Sequence, residues 1–522
     1  MKPAHLCSDR RSRRVFLADT SMGLTGLALG AMMPRPAGAA DDAWSPPTGH
    51  PHFAPKAKRV IWLFMLGGVS HVESFDPKPV LNTYAGKQLS ETPHHDVLNN
   101  PLTKENLKAF VPGQHEIKLT LYPMQSGFRE RGKNGVAVSD WFPHLGDMMH
   151  EVALIRSTWT TDNDHGAILQ FHTGRHIFDG YLPTMGSWVH YGLGSMNDNL
   201  PSFVVLGEPP GDCCGGLGTH GSGYLGPEHA GVYLEVNPEN PMPFASPGAG
   251  VTNEEQRREF SFLKKLNELS AVEYPADAAL RARIKSYELA FRMQMAVPEA
   301  IQFKAESEET RRLYGLDQEA TRPFGEVCLA ARRLSERGVR FVQVYHGGAG
   351  NAWDSHKDLK KNHGDLAGKV DKPIAGLLKD LERSGLLDET IVVWATEFGR
   401  TPGAENSNGR DHHPFGFSVW MAGGGIKRGI VHGATDEIGF HAVENRTMLP
   451  TSTPRSCTSW GSTPSAWTCR AVSGWTSTTV SPSSTFWRKE PFHESQIVHN
   501  RGSRGCRSLC RRIRPNPGPR QE

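Results

Sequence analysis

Acidic and imidazole side chains recur in this sequence just beyond short apolar runs. Ile391 to Ala395 is an apolar, β-branched and aromatic run that reads as a buried strand, and it leads into Glu397 and, one loop later, Asp411-His412-His413. Val339 to Tyr345 leads into Asp354 and His356, Val152 to Ser157 into Thr160, Thr161, Asp164 and His165, and Arg59 to Met65 into Gly67-Gly68, Ser70, Glu73 and Asp76. In an open α/β sheet, ligands sit beyond the carboxyl ends of strands, and carboxylates and imidazoles are the usual ligands of divalent metals. Taken singly, each group has an ordinary explanation as a capping acid or a solvated loop histidine. Four such groups together predict a dinuclear site with oxygen and imidazole ligands, of the kind that clamps both sides of an in-line displacement. Asp354, His356, Glu397, His412 and His413 are the expected metal ligands, with Glu73 and Asp76 completing or orienting the site. The donor set suits two divalent ions drawn from Zn, Mn, Mg or Ca.

These residues need elements to hold them. Residues 366–384 read as an amphipathic helix between two of the strands, which makes a βαβ unit and a parallel sheet. Ala167 to His172 reads as a helix whose N-terminus follows a polar loop. Such a terminus favours anions, so Thr161, Asp164 and His165 are expected to face a tetrahedral oxyanion; N-capping by Asp162 or Asn163 explains the same stretch equally well. Glycines 67 and 68 let the backbone approach a ligand closely. Leu200 to Leu206 and Phe417 to Met421 are further strands, residues 80–140 an irregular insertion, 207–250 a loop on the substrate side, and 253–337 largely helical.

The 522 residues carry a net charge of +3 that conceals an asymmetry. The first 39 residues contribute +4 and the last 76 contribute +8, leaving the middle at −9. So acidic a middle excludes nucleic acid as a partner, since phosphate binding needs a basic surface. Ser12-Arg13-Arg14-Val15-Phe16-Leu17, a mild apolar stretch from Gly23 to Met33 and Ala37-Gly38-Ala39 make residues 1–39 a twin-arginine signal, with 40–57 a linker. The expected location is the periplasm or cell envelope, reached through the twin-arginine export machinery, and no later run is long enough for a membrane span. Cys213-Cys214 lies in a Gly-rich turn, and the cysteines form no disulfide framework.

Several motifs carry a family resemblance. Gly67-Gly68-Val69-Ser70-His71-Val72-Glu73-Ser74-Phe75-Asp76-Pro77, Trp353-Asp354-Ser355-His356, Thr396-Glu397-Phe398-Gly399-Arg400-Thr401-Pro402 with Asp411-His412-His413, and Gly433-Ala434-Thr435-Asp436-Glu437-Ile438-Gly439 resemble the DUF1501 family of the alkaline-phosphatase-like, or sulfatase-like, superfamily. The resemblance implies an α/β three-layer sandwich with a mostly parallel central sheet over residues 58–446. It also implies metals at the strand ends and hydrolysis of phosphate or sulfate esters, small or linked to a polysaccharide. Asp354 and His356 would form one ligand set, and Glu397 would stand where an aspartate is usual. The sequence lacks a Cys-x-Pro-x-Arg pattern, so a formylglycine sulfatase is excluded. That leaves Thr160, Thr161 or Ser70 as a hydroxyl nucleophile, direct attack by water on the metal, or a non-catalytic envelope binding protein on the same fold.

Residues 447–522 contain no Asp but four of the twelve Trp and four of the eight Cys. Either this is a disordered Ser/Thr/Arg tail or it is out of frame. With codons chosen to allow it, the neighbouring frame over Thr451 to Thr463 reads D-L-H-A-T-I-L-H-L-L-G-I-D, an amphipathic helix similar to the DUF1501 C-terminus. Its histidine would be a last metal ligand. One base lost just after Arg446 accounts for the change.

Overall fold

The computed structural model describes residues 56–448, apart from 102, 104–114, 116, 238–251 and most of 253–295. The expected signal peptide, nearly all of the linker, and the tail beyond Met448 lie outside the described residues.

The described residues are built on a nine-stranded sheet. Its elements in order are β1 (Arg59–Met65), a one-turn helix α1 (His71–Ser74), β2 (Val152–Trp159), α2 (Ala167–Thr173), α3 (Met185–Leu193), β3 (Phe203–Gly207) and β4 (Val232–Tyr233). There follow α4 (Arg322–Glu336), β5 (Phe341–His346), α5 (Leu359–Arg383), β6 (Thr390–Ala395), a small ribbon of β7 (Gly399–Arg400) with β8 (His412–His413), β9 (Phe417–Gly423), β10 (Ile430–His432) and β11 (Thr447–Met448). The sheet order is β10-β2-β9-β6-β1-β5-β3-β4, with β11 also on β2. Every neighbouring pair is parallel except those made by β9, which runs against both β2 and β6.

Strand β1 shows why the sheet is buried on both sides. Its side chains alternate between faces, as a period of two requires. Ile61, Leu63 and Met65 pack with Leu329 of α4 and Ile374 and Leu378 of α5. Val60, Trp62 and Phe64 pack on the other side with Ile168 and Phe171 of α2 and Val189 of α3. Helices therefore cover both faces, a continuous apolar run rather than an alternating one is what such a strand needs, and the architecture is a three-layer α/β sandwich. The crossover from β5 through α5 to β6 spans β1, which lies between them, as the βαβ reading required. The insertion at 80–140 holds short helical turns and a hairpin of Phe128–Arg131 with Val136–Ser139.

Because β1, β2, β5 and β6 run in one direction, their carboxyl ends open on one edge of the sheet. Gly67, just past β1, has φ of +118°. A Cβ there would collide with the backbone of Asn351 and Asp354. The close approach Gly67 permits is thus to the loop after β5, and that of Gly68 to the side chain of Phe398, rather than to a ligand.

Candidate metal centre

The loops after β2 and β5 and the β7–β8 ribbon bring side chains to Asp354. It lies in the loop after β5, its backbone N–H bonded to the Asn351 carbonyl at 2.7 Å. His356 Nε2 is 2.9 Å and His412 Nε2 3.0 Å from Asp354 Oδ1, while His165 Nε2 is 3.3 Å from Oδ2. The buried Arg400 guanidinium donates to Oδ1 at 2.6 Å and also to the carbonyls of Gly67, Gly68 and Arg410. Three imidazoles from three separate segments thus turn the same nitrogen towards one carboxylate.

Their outer nitrogens are equally constrained. His165 Nδ1 lies 2.9 Å from Glu397 Oε1, His356 Nδ1 against Glu405, and His412 Nδ1 2.9 Å from the Asn163 carbonyl oxygen. An oxygen acceptor behind an imidazole fixes its ring and tautomer, as is usual behind metal-bound histidines. Glu397 is itself fixed, since Oε1 accepts from the Gly67 N–H at 2.8 Å and Oε2 from the Thr396 hydroxyl at 3.1 Å.

The protonation states show what the cluster lacks. Burial, with Arg400 and His165 close by, keeps the His412 pKa well below 6.5 despite Asp354. A neutral imidazole has one N–H, yet both His412 nitrogens face oxygen acceptors. With the proton on Nδ1, towards Asn163, the Nε2 lone pair and Asp354 Oδ1 face each other with nothing between them, which is the arrangement a cation resolves. Burial opposes charge on His165, but Asp354 and Glu397 outweigh it and lift its pKa to about 9. His356 is raised as well, chiefly by Asp354. Asp354 is held far below the usual carboxylate range, because Arg400 and the three imidazoles outweigh its burial.

The donors group in three overlapping sets whose ligand atoms lie within 4.8 Å of one another: Asp164, His165 and His412; His115, His356 and His412; and His356, Glu405 and Asp411. The chain therefore has His and Asp groups able to hold a metal.

The expected residues separate into two populations. Asp354, His356, His412 and His165 come together, with Glu397 directly behind His165. His413 does not join them. Neighbouring residues on a strand point to opposite sides, so beside His412 it turns away, places Nε2 on the Phe440 carbonyl at 2.6 Å and stacks near His71. Glu73 is bound instead to Arg410 at 2.7 Å, both side chains fully buried, and it accepts the Ser70 hydroxyl. Asp76 pairs with Lys78 at 3.1 Å and accepts from Thr435. These two acids are bonded to fixed cations and hydroxyls, and neither reaches His165, His356 or His412 in any hydrogen bond or ion pair of the described residues.

The candidate nucleophiles are also engaged elsewhere. The Ser70 N–H donates to His363 Nε2 at 3.1 Å, and the Thr161 hydroxyl is shared with Gln170, which also takes the Thr160 hydroxyl. Helix α2 has no side-chain N-cap, and His165 is drawn to carboxylates rather than facing open space at its start.

Sequence reasoning missed His115, Lys118, Glu405 and the role of Arg400. His115 stacks on His412 with ring centroids 3.8 Å apart and reaches Asp411 at 2.7 Å. It sits in the irregular insertion, where no periodicity marks it. Arg400 follows a strand end and precedes a Pro-containing turn, so its burial had no signal in composition.

No curated protein matches this chain. Among solved structures, a mutant TAB5 alkaline phosphatase with Mg bound in its M3 site is 11% identical over 72% of this chain and 94% of its own, with a TM-score of 0.28. Another alkaline phosphatase structure from the Antarctic bacterium TAB5 is 10% identical over 73% and 96%, with a TM-score of 0.29. The family model described as "Protein of unknown function (DUF1501)" matches residues 57–468, most of the sequence, and the chain belongs to the DUF1501 family.

Proposed function

We propose that this chain is a metal-dependent hydrolase of phosphate or sulfate esters in the cell envelope, acting on a small or polysaccharide-linked ester. The observation that carries it is the convergence of His165, His356 and His412 on Asp354, with both His412 nitrogens facing oxygen acceptors. The donor set fits Zn or Mn best among Zn, Mn, Mg and Ca, because three imidazoles suit a borderline ion better than a hard one. Such an ion would be held by Asp164, His165 and His412, whose two imidazole Nε2 atoms also lie 3.3 and 3.0 Å from Asp354. When bound it would polarise the ester oxygen and stabilise charge developing on it.

The remaining roles belong to the chain. Glu397 and the Asn163 carbonyl orient the imidazoles, and Arg400 fixes Asp354. Neither Ser70 nor Thr161 contacts this cluster in the described structure, which favours water over a side-chain hydroxyl as nucleophile. Hydrolysis would then break the bond between the ester oxygen and phosphorus or sulfur, leaving the water oxygen on the acid and a proton on the alcohol.

The proposal includes export by the twin-arginine route, motivated by the Arg13-Arg14 signal. No helix among the described residues is long and apolar enough to cross a membrane. It also includes a changed reading frame near Arg446, motivated by the composition beyond it and costing the site a histidine. Against that stand the family match continuing to residue 468 and the pairing of Thr447 and Met448 with β2. Resequencing codons 446–448 decides, and an intact frame removes that part of the proposal.

The test of function is turnover of aryl phosphate and aryl sulfate by the metal-loaded protein, before and after chelation. Turnover that chelation abolishes supports the hydrolase. Bound metal with no turnover on either ester favours the alternative, an envelope binding protein on the same fold.

A further inference from the structure

Beside the Asp354 cluster lies a second set of possible ligands, His356, Glu405 and Asp411. Both sets contain a fixed cation, but Arg400 in the first bonds one carboxylate, Asp354, whereas in the second an ammonium bonds two. Lys118 Nζ is 3.0 Å from Asp411 Oδ2 and 3.3 Å from Glu405 Oε1. The other oxygens are also served: Glu405 Oε2 meets His356 Nδ1, and Asp411 Oδ1 meets His115 Nδ1 at 2.7 Å and accepts the His412 backbone N–H at 2.8 Å. Each carboxylate oxygen of this set thus faces a nitrogen, whereas in the first set both nitrogens of His412 face oxygen acceptors.

The position of Lys118 is built into the backbone. The Ala404 N–H donates to the Thr120 carbonyl at 2.8 Å, and Leu121 bridges Gly403. A Cβ on Gly403 would collide with the Lys118 carbonyl, so the two segments touch at a point where only glycine fits. The segment carrying Lys118 and the loop carrying Glu405 are therefore fixed against each other, and the ammonium reaches the carboxylates from a set place.

The charges differ in the same sense. Around the first position, Asp164, Asp354 and Glu397 face one fixed cation, Arg400. Around the second, Glu405 and Asp411 face Lys118. Leaving the titratable imidazoles aside, the first has three carboxylates to one fixed cation and the second has two to one.

We propose that the centre binds one divalent cation and that Lys118 stands, as a permanent ammonium, where a second would otherwise sit. Lys118 is a positioning residue: it neutralises Glu405 and Asp411, and Glu405 in turn holds His356 towards Asp354. The proposal rests on the metal-centre reading above and narrows its expected pair of ions to one.

The test is metal content of the full-length protein after equilibration with Zn²⁺ or Mn²⁺ and removal of free ion, for wild type, Lys118→Met and Lys118→Arg. The expected result is one equivalent in wild type, two in Lys118→Met, where a similar side chain loses its charge, and one again in Lys118→Arg. Two equivalents in wild type, or one in a folded Lys118→Met, overturns the role of Lys118 while leaving a metal centre in place. If Lys118→Met does not fold, the wild-type value decides alone. No metal in any variant overturns the centre and this inference with it.

Discussion

Two polar clusters of this protein meet at the adjacent residues His412 and His413, and they have opposite characters. One is the Asp354 cluster; the other holds Glu73, Arg410, Asp76, His71 and His413. Both are rich in acids and imidazoles, the second is buried and the first half-buried, and His412 of one is next to His413 of the other. In the second, nearly every group has a partner of the complementary kind: Glu73 has Arg410, Asp76 has Lys78, and His413 and His71 have backbone carbonyls. In the first, three imidazoles lie between oxygen acceptors on both sides. Residue type does not separate a structural cluster from a candidate metal site; the balance of donors and acceptors does.

Substitutions should split along that line. Asp354→Ala has the largest expected effect, with metal lost and ester turnover falling about 10³-fold or more, since each 1.4 kcal/mol of lost stabilisation is tenfold. Arg400 is then unpaired, so circular dichroism must accompany the kinetics. Arg410→Met should do the reverse, destabilising the fold by about 3–5 kcal/mol in denaturant titrations, because a buried Glu73 loses its partner. Metal content of the folded fraction should be unchanged. If Arg410→Met empties the site at constant stability, the two clusters are not distinct. Glu397→Gln removes charge behind His165 and should weaken metal affinity about 10- to 100-fold, as orienting partners do, read by chelator competition.

The smallest effect is on pH. His172 is buried against Trp62, Phe64 and Tyr345, and burial lowers its pKa to about 4. Its folded-state value is below the unfolded one, so the unfolded chain binds more protons between about 6.5 and 4. The stability from keeping His172 neutral is complete above that window and declines as pH falls through it. Thermal unfolding from pH 7 to pH 4 on metal-free wild type and His172→Gln should show a shallower decline in the variant. Equal slopes would remove His172 from the acid sensitivity.

Much of the sheet was legible because its strands are buried on both faces and so appear as unbroken runs such as Ile391 to Ala395. The site was legible where a residue closely follows such a run, as Glu397, Asp354 and His165 do. The choice between His412 and His413 was not, because it depends on which way a two-residue strand faces in its ribbon. Glu73 and Asp76 misled because their cations, Arg410 and Lys78, were unremarkable in sequence, and Arg410 is 337 positions from Glu73. His115, Lys118 and Glu405 lie in irregular segments, where position follows from long-range contacts rather than from local pattern.

The most direct test of the account is Zn²⁺ binding by equilibrium dialysis to wild type, His412→Asn and His413→Asn. The account requires wild type and folded His413→Asn to bind alike, and His412→Asn to bind far more weakly. Absence of metal from the wild type, or equal loss in the two variants, would contradict it.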